Sequence, residues 1–268
     1  MNRFFKKYGS IIFFLVIVIV LIIIVCFRVV VNNEPPTRVE KKEKALSPLA
    51  AKPKSTPLVI CIDPGHQQKA DLSTEKIGPG SKLEKTKVTG GTTGITSGIP
   101  EYKLTLEASM ILGEILEEKG FKVVYTRTRN NVNVSNKERA EMANRSKAAL
   151  FIRLHADGST NRNVRGFSIL TPSGKNPYTK TIYKDSLQAS QLIVDEVKKN
   201  RNVTVKGISF RDDLSGTNWS QVPAILIEMG FMTNPSEDKN LSNEAYLTHL
   251  MEDVARGIAD FRESVRRP

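Results

Sequence analysis

From Leu58 onward, short unbroken apolar runs alternate with segments of helical period, and few folds accommodate that alternation. "LVICI", "FKVVYTR", "AALFIRLHA", "GFSILTP" and "PAILIEMGF" read as strands. Between them, "EYKLTLEASMILGEILEEKG" sets Leu104, Ala108, Ile111, Leu112 and Ile115 on one helical face and stops at Gly120. "SNKERAEMANRS" opens with a capping box, Ser135 followed three residues later by Glu138. A further helix is expected within Tyr178–Lys199 and a last one across Glu244–Phe261. The stripe of that last helix is Leu247, Leu250, Val254, Ile258 and Phe261, which leaves His249 on its solvated side. Buried strands separated by helices predict an α/β fold over residues 58–268: a single layered domain with a largely parallel central sheet flanked by helices. Residues 67–100, rich in Gly, Thr, Ser and Lys, read as one long loop, and loops of that length in a compact domain are usually functional or mobile.

The segment ahead of this domain has a different composition. After a short basic stretch, residues 1–7, the run Tyr8–Phe27 holds 20 residues without a charge. As a helix it would be about 30 Å long, enough to cross the hydrocarbon core of a bilayer. The apolar part of a cleaved signal peptide is shorter, about 7–15 residues, and ends at small residues; this run ends in "VCFRVVV". Residues 8–27 therefore read as a transmembrane anchor. Residues 28–57 hold five of the chain's 13 prolines among Lys, Glu, Ser and Ala, and read as a disordered linker with an extended reach of at most about 90 Å. A single-pass protein of the cytoplasmic membrane, with its large C-terminal domain outside, is the expected arrangement.

Charge excludes one class of partner. Of the formal +12, residues 1–57 carry +7, from 10 Lys and Arg against 3 Asp and Glu. The basicity is thus concentrated in anchor and linker, no basic stripe marks the folded domain, and no nucleic-acid partner is expected. Cys26 lies in the span and Cys61 in the first strand, so they form no disulfide framework.

Three of the strands finish in chemically capable residues: "LVICIDPGH" at His66, "ALFIRLHADGS" at His155, and "PAILIEMGF" at Glu228. Ligands of open α/β sheets bind beyond the carboxyl ends of the strands, so parallel neighbours would bring all three to one edge. Glu101 opens the helix that enters from the same edge. Two imidazoles and a carboxylate are a ligand set that suits one zinc ion (Zn2+) at about 2.0–2.2 Å, with a fourth position for water. A second carboxylate would then move protons between water and a leaving amine. On this pattern alone Glu101 and Glu228 can exchange roles.

The stretches "VICIDPGH", "GIPEYKLTLEASMILGEILEEKGFKVVYTRT", "ALFIRLHADGS" and "PAILIEMGFMTNPSED" resemble, in this order, the zinc-dependent N-acetylmuramoyl-L-alanine amidases, the type-3 catalytic domain of bacterial cell-wall hydrolases. The resemblance implies that His66, Glu101 and His155 bind zinc and that Glu228 is the catalytic carboxylate. It also implies peptidoglycan as substrate, cut at the amide between the lactyl group of N-acetylmuramic acid and the L-alanine of the stem peptide. The chain departs from the family at Asp157, where Asn is the more frequent residue, and no protein regulator is indicated. A zinc peptidase acting within the stem peptide and a non-catalytic wall-binding protein are the competing readings. Asp63 is expected either to hold His66 or to cap its own Asp-Pro-Gly turn. Arg211, Asn218 and Trp219 stand ahead of the Glu228 strand as possible contacts to glycan or peptide.

Overall fold

The computed structural model describes residues 56–266. The expected anchor at 8–27 lies outside them, as does nearly all of the linker; among the described residues no helix is long and apolar enough to cross a membrane.

Among the described residues, eight strands and six helices follow one another: β1 (Val59–Pro64), β2 (Asp71–Lys76), β3 (Glu84–Val88), α1 (Glu101–Glu118), β4 (Lys122–Tyr125), α2 (Asn136–Arg145), β5 (Leu150–Asp157), β6 (Phe167–Thr171), α3 (Tyr183–Val197), β7 (Val205–Phe210), α4 (Ser215–Asn218), β8 (Ala224–Phe231), α5 (Pro235–Leu241) and α6 (Glu244–Arg266). Six strands form one sheet in the order β4-β1-β5-β8-β6-β7. Strands β4, β1, β5 and β8 are mutually parallel, with Ile62 opposite Ile152 and His155 opposite Glu228. The sheet is thus largely parallel, as the apolar runs require.

Strand β6 breaks the pattern, running antiparallel to β8, and β7 follows β6 in parallel. The reason lies in the connection. Residues 158–166 between β5 and β6 are too few for a helical crossover back to the far edge, so β6 starts from the edge where β5 ends.

Alternation of side chains along β1 and β5 divides the core between two faces. Ile60, Ile62, Ile152 and Leu154 meet Leu104, Ala108, Leu112 and Leu116 of α1, together with Ile193 of α3 and the α6 stripe. On the other face Cys61 and Phe151 pack with Ala140 and Ala143 of α2. A fully buried Leu or Ile stabilises by about 1.5–3 kcal/mol, and these residues are essentially without exposure. Gly120 ends α1 with φ 79°, and Ser135 with Glu138 completes the capping box of α2. His249 lies exposed on α6 beside Glu252.

The long loop predicted over residues 67–100 contains the antiparallel hairpin β2–β3. Its strands "DLSTEK" and "EKTKV" carry no apolar alternation, which explains why periodicity does not reveal them. Polar contacts moor the hairpin instead. Glu75 accepts from the Lys137 amide at the start of α2, Asn136 donates to the Lys87 carbonyl, and Trp219 donates to the Lys76 carbonyl. A carboxylate at a helix N-terminus is in its favourable place.

Candidate active site

The parallel order β1-β5-β8 delivers His66, His155 and Glu228 to one edge, and α1 brings Glu101 there with its first residue. His66 Nε2, His155 Nδ1 and Glu101 Oε1 lie 3.1 Å from one another in all three pairs. Three ligand-type atoms turned onto one point at that spacing are what a small cation requires. A tetrahedron of ligands about 2.0–2.1 Å from zinc has edges of roughly 3.3–3.4 Å, close to the observed spacing. The donor set therefore fits a zinc ion.

Glu101 and His66 are fixed from behind by backbone groups, whereas His155 Nε2 is buried without a hydrogen-bond partner. Glu101 is buried, and both of its oxygens are held by backbone: Oε1 accepts from the Ala156 amide at 3.0 Å and Oε2 from the Thr92 amide at 2.9 Å. Burial alone would raise its carboxyl, but the bonds from His155 and His66 outweigh that and hold it below the usual carboxylate range. His66 Nδ1 contacts the Thr89 carbonyl at 2.8 Å, which fixes the ring with Nε2 inward. Burial pushes His155 down to about 4, against the opposing hydrogen bond to the Glu101 carboxylate, so its ring is neutral at neutral pH, the form a metal ligand requires. Gly65 makes room for that ring. A Cβ there would lie 2.5 Å from His155 Cε1 and 2.6 Å from the Leu154 carbonyl oxygen.

Glu228 is placed differently. It faces His155 across the β5–β8 ladder and lines the same cavity of about 560 Å³, outside the close trio. Its Oε2 is sealed from solvent and has no hydrogen-bond partner. Burial, then the charges of Glu101 and Asp157, raise its carboxyl well above the ordinary value, with Arg153 and Arg211 acting in the opposite sense. The Asp157 at which the chain departs from the resembled family thus adds negative charge at the cavity rim and opposes ionisation of Glu228. The two carboxylates, interchangeable on sequence pattern, are distinct in geometry: one pinned by two amides against the imidazoles, the other unpartnered.

Beneath the His66 turn lies a network that sequence reasoning missed. Asp63 neither holds His66 nor caps its own turn. Its Oδ1 accepts from Arg139 Nη1 at 2.7 Å and from Thr126, and its Oδ2 accepts from Arg153 Nε at 2.8 Å. Burial would raise this carboxyl, but the two guanidinium groups more than reverse it and keep it far below the usual range. Arg139 also donates to the carbonyls of Pro64 and His66, and Arg127 to those of Pro64, Gly65 and Tyr102. These bonds hold the turn in which His66 adopts φ 60°, a left-handed conformation costly for a residue with a side chain. The available signal was an acid ending one apolar strand and an arginine inside the next, opposite each other in register as Asp63 and Arg153.

Two of the three residues ahead of β8 are absorbed by the scaffold. Asn218 is buried against Asn176 and the Asp212 carbonyl, and Trp219 lies under Lys137 with its indole N–H on Lys76. Arg211 is not absorbed in this way.

Residues 60–260 match the protein family described as N-acetylmuramoyl-L-alanine amidase (Amidase 3). The chain belongs to this amidase family. It is 29% identical over 231 residues to an N-acetylmuramoyl-L-alanine amidase of Mycobacterium tuberculosis, covering 81% of this chain and 93% of that one. The crystal structure of the amidase Ami1 from Mycobacterium smegmatis superposes with a TM-score of 0.70 at 25% identity, over 77% of this amidase and 97% of Ami1. The structure of an N-acetylmuramoyl-L-alanine amidase from Clostridium difficile 630 is 28% identical, with a TM-score of 0.60 over 78% of this chain and 99% of that one.

Proposed function

We propose that this amidase hydrolyses the amide joining the lactyl group of N-acetylmuramic acid to the L-alanine of the peptidoglycan stem peptide. In this reading a zinc ion is held by His66, Glu101 and His155, and Glu228 transfers the protons. The carrying observation is the convergence of three ligand-type atoms at 3.1 Å beside a carboxylate oxygen that no protein group satisfies.

When bound, zinc would polarise the scissile carbonyl and acidify a water molecule. The side chains divide the remaining work. Glu101 and the two imidazoles would hold the cation, with His155 in its neutral form. Glu228 Oε2 takes the proton of the attacking water and returns it to the leaving amine nitrogen, which suits a group whose surroundings favour its protonated form. Bound there, a divalent cation would oppose that shift.

Digestion of purified peptidoglycan followed by mass spectrometry tests the reaction. Lactyl-terminated glycan and free L-alanine amino groups are expected, and exhaustive chelation should abolish them until zinc is restored. New ends within the stem peptide, with lactyl–alanine bonds intact, would assign a peptidase instead; undiminished cleavage after chelation would remove the metal.

For location we propose the single-pass arrangement, residues 8–27 in the cytoplasmic membrane and the domain outside, supported by the charge-free length of that run. Protease added to intact spheroplasts should then digest the domain. Protection until lysis would place it on the other side.

A further inference from the structure

His66, His155 and Glu228 stand at the junction of two cavities. The first is lined by Gly90, Gly91, Thr92, Ser159, Thr160 and Thr233, small and hydroxyl-bearing residues, with Asp157 as the acid at its rim. The second, of about 570 Å³, shares His66, Thr89, His155 and Glu228 with the first but differs in chemistry: its walls include Val88, Leu170, Leu214 and Leu226, and it contains Lys85, Arg153 and Arg211. A substrate whose scissile bond lies over the trio has one part in each cavity.

The three cations of the second cavity are not equivalent. Arg153 is buried and spent on Asp63 and Asn136. Lys85 is tied to the side chain and carbonyl of Asp213 at 2.9 and 2.7 Å. Arg211 donates Nε and Nη2 to the two oxygens of Asp213, at 2.7 and 2.9 Å, and nearly half of its side chain is exposed. Among the described residues, Nη1 has no acceptor. The backbone carrying it is fixed, since the Arg211 amide bonds to the Thr171 carbonyl and Asp212 is held by Ser173. A guanidinium braced on one edge and open on the other is prepared for an anion at low entropic cost. The acid at the same rim, Glu84, is engaged by Thr74 on the hairpin.

We infer that the second cavity is the peptide subsite, and that Arg211 binds a carboxylate of the stem peptide beyond the alanine while the hydroxyl-lined cavity receives the sugar. Arg211 is then a specificity residue: it favours stem peptides whose next residue carries a free acid over those in which that acid is an amide. Asp213, bridging Arg211 to Lys85 of the hairpin, is its positioning residue. The inference rests on the proposed amidase reaction for its substrate, and on the two cavities for its direction.

Two soluble muramoyl peptides test it, one with an acidic residue after L-alanine and one with that carboxylate converted to a carboxamide. The full-length enzyme with zinc should show a kcat/KM about 10–100-fold higher for the acid, the range of a charge-assisted bond, carried mainly in KM. Arg211→Gln should bring that ratio near one by weakening the acid alone, and Arg211→Lys should restore part of it. In the Glu228→Gln background the same ratio should appear in equilibrium binding of the uncut compounds. Equal losses for both compounds in Arg211→Gln, in rate or in binding, would overturn the assignment. If the wild-type enzyme leaves the lactyl–alanine bond of both compounds intact, the reaction itself is refuted, and the binding ratio still decides the role of Arg211.

Discussion

Glu228→Gln is expected to lower turnover on peptidoglycan by about two to four orders of magnitude while zinc remains bound. The substitution keeps the shape of the side chain and removes its capacity to take a proton. Metal content should survive because His66, Glu101 and His155 converge without any contribution from Glu228. Glu101→Gln should behave in the opposite way. It disturbs a carboxylate whose two oxygens are both engaged by backbone amides and whose Oε1 meets both imidazoles, so zinc should be lost with activity. The pair of variants thus separates the two acids that the sequence pattern leaves interchangeable. Metal loss in the Glu228 variant, or near-normal turnover, would reverse or remove the assignment.

The same variant carries a second signature in metal-free protein. The folded state raises the Glu228 carboxyl well above its ordinary 4.5. Such a group stabilises fully below the unfolded value and progressively less as pH rises through the folded one. Wild-type apoprotein should therefore lose stability relative to Glu228→Gln from about pH 4.5 upward, and the gap should widen with pH in thermal melts taken with chelator. A gap independent of pH would show that the buried oxygen finds a partner in solution.

Much of this site is legible before any coordinates because its four chemical residues sit at ends of strongly patterned elements. His66, His155 and Glu228 terminate or interrupt apolar runs, and Glu101 opens a helix with a clear stripe. Parallel pairing then forces them to one edge. Where apolar burial does not set the structure, the pattern falls silent. The β2–β3 hairpin is held by Glu75, Asn136 and Trp219 through polar bonds, and charged strands of that kind look like loop. Direction of β6 depends on the length of one connection rather than on composition. The arginines behind the His66 turn are harder still. Arg127 and Arg139 lie on a loop and a helix remote in sequence, and only their burial distinguishes them from the surface cations around them.

That arginine network carries the largest stability effect. Asp63→Ala should destabilise the domain by about 3–5 kcal/mol, because the buried guanidinium groups of Arg139 and Arg153 lose their shared anion without gaining access to water. The loss should extend to function in whatever fraction stays folded, since Arg139 also fixes the carbonyls of Pro64 and His66. Zinc affinity should fall even though the side chain of residue 63 touches none of the side chains of His66, Glu101 and His155. Asp63→Asn separates charge from shape and gives the pH test its sign. The wild-type carboxyl is held below an unfolded value of about 3.9, so its stabilisation is present above that value and drains away as pH falls through it. Urea unfolding should accordingly show a steep acid slope in the wild type that is shallower in Asp63→Asn, with the two curves furthest apart near neutrality. Parallel curves would mean that the arginines are satisfied by the carbonyls alone, and that the turn presenting His66 stands without its buried acid.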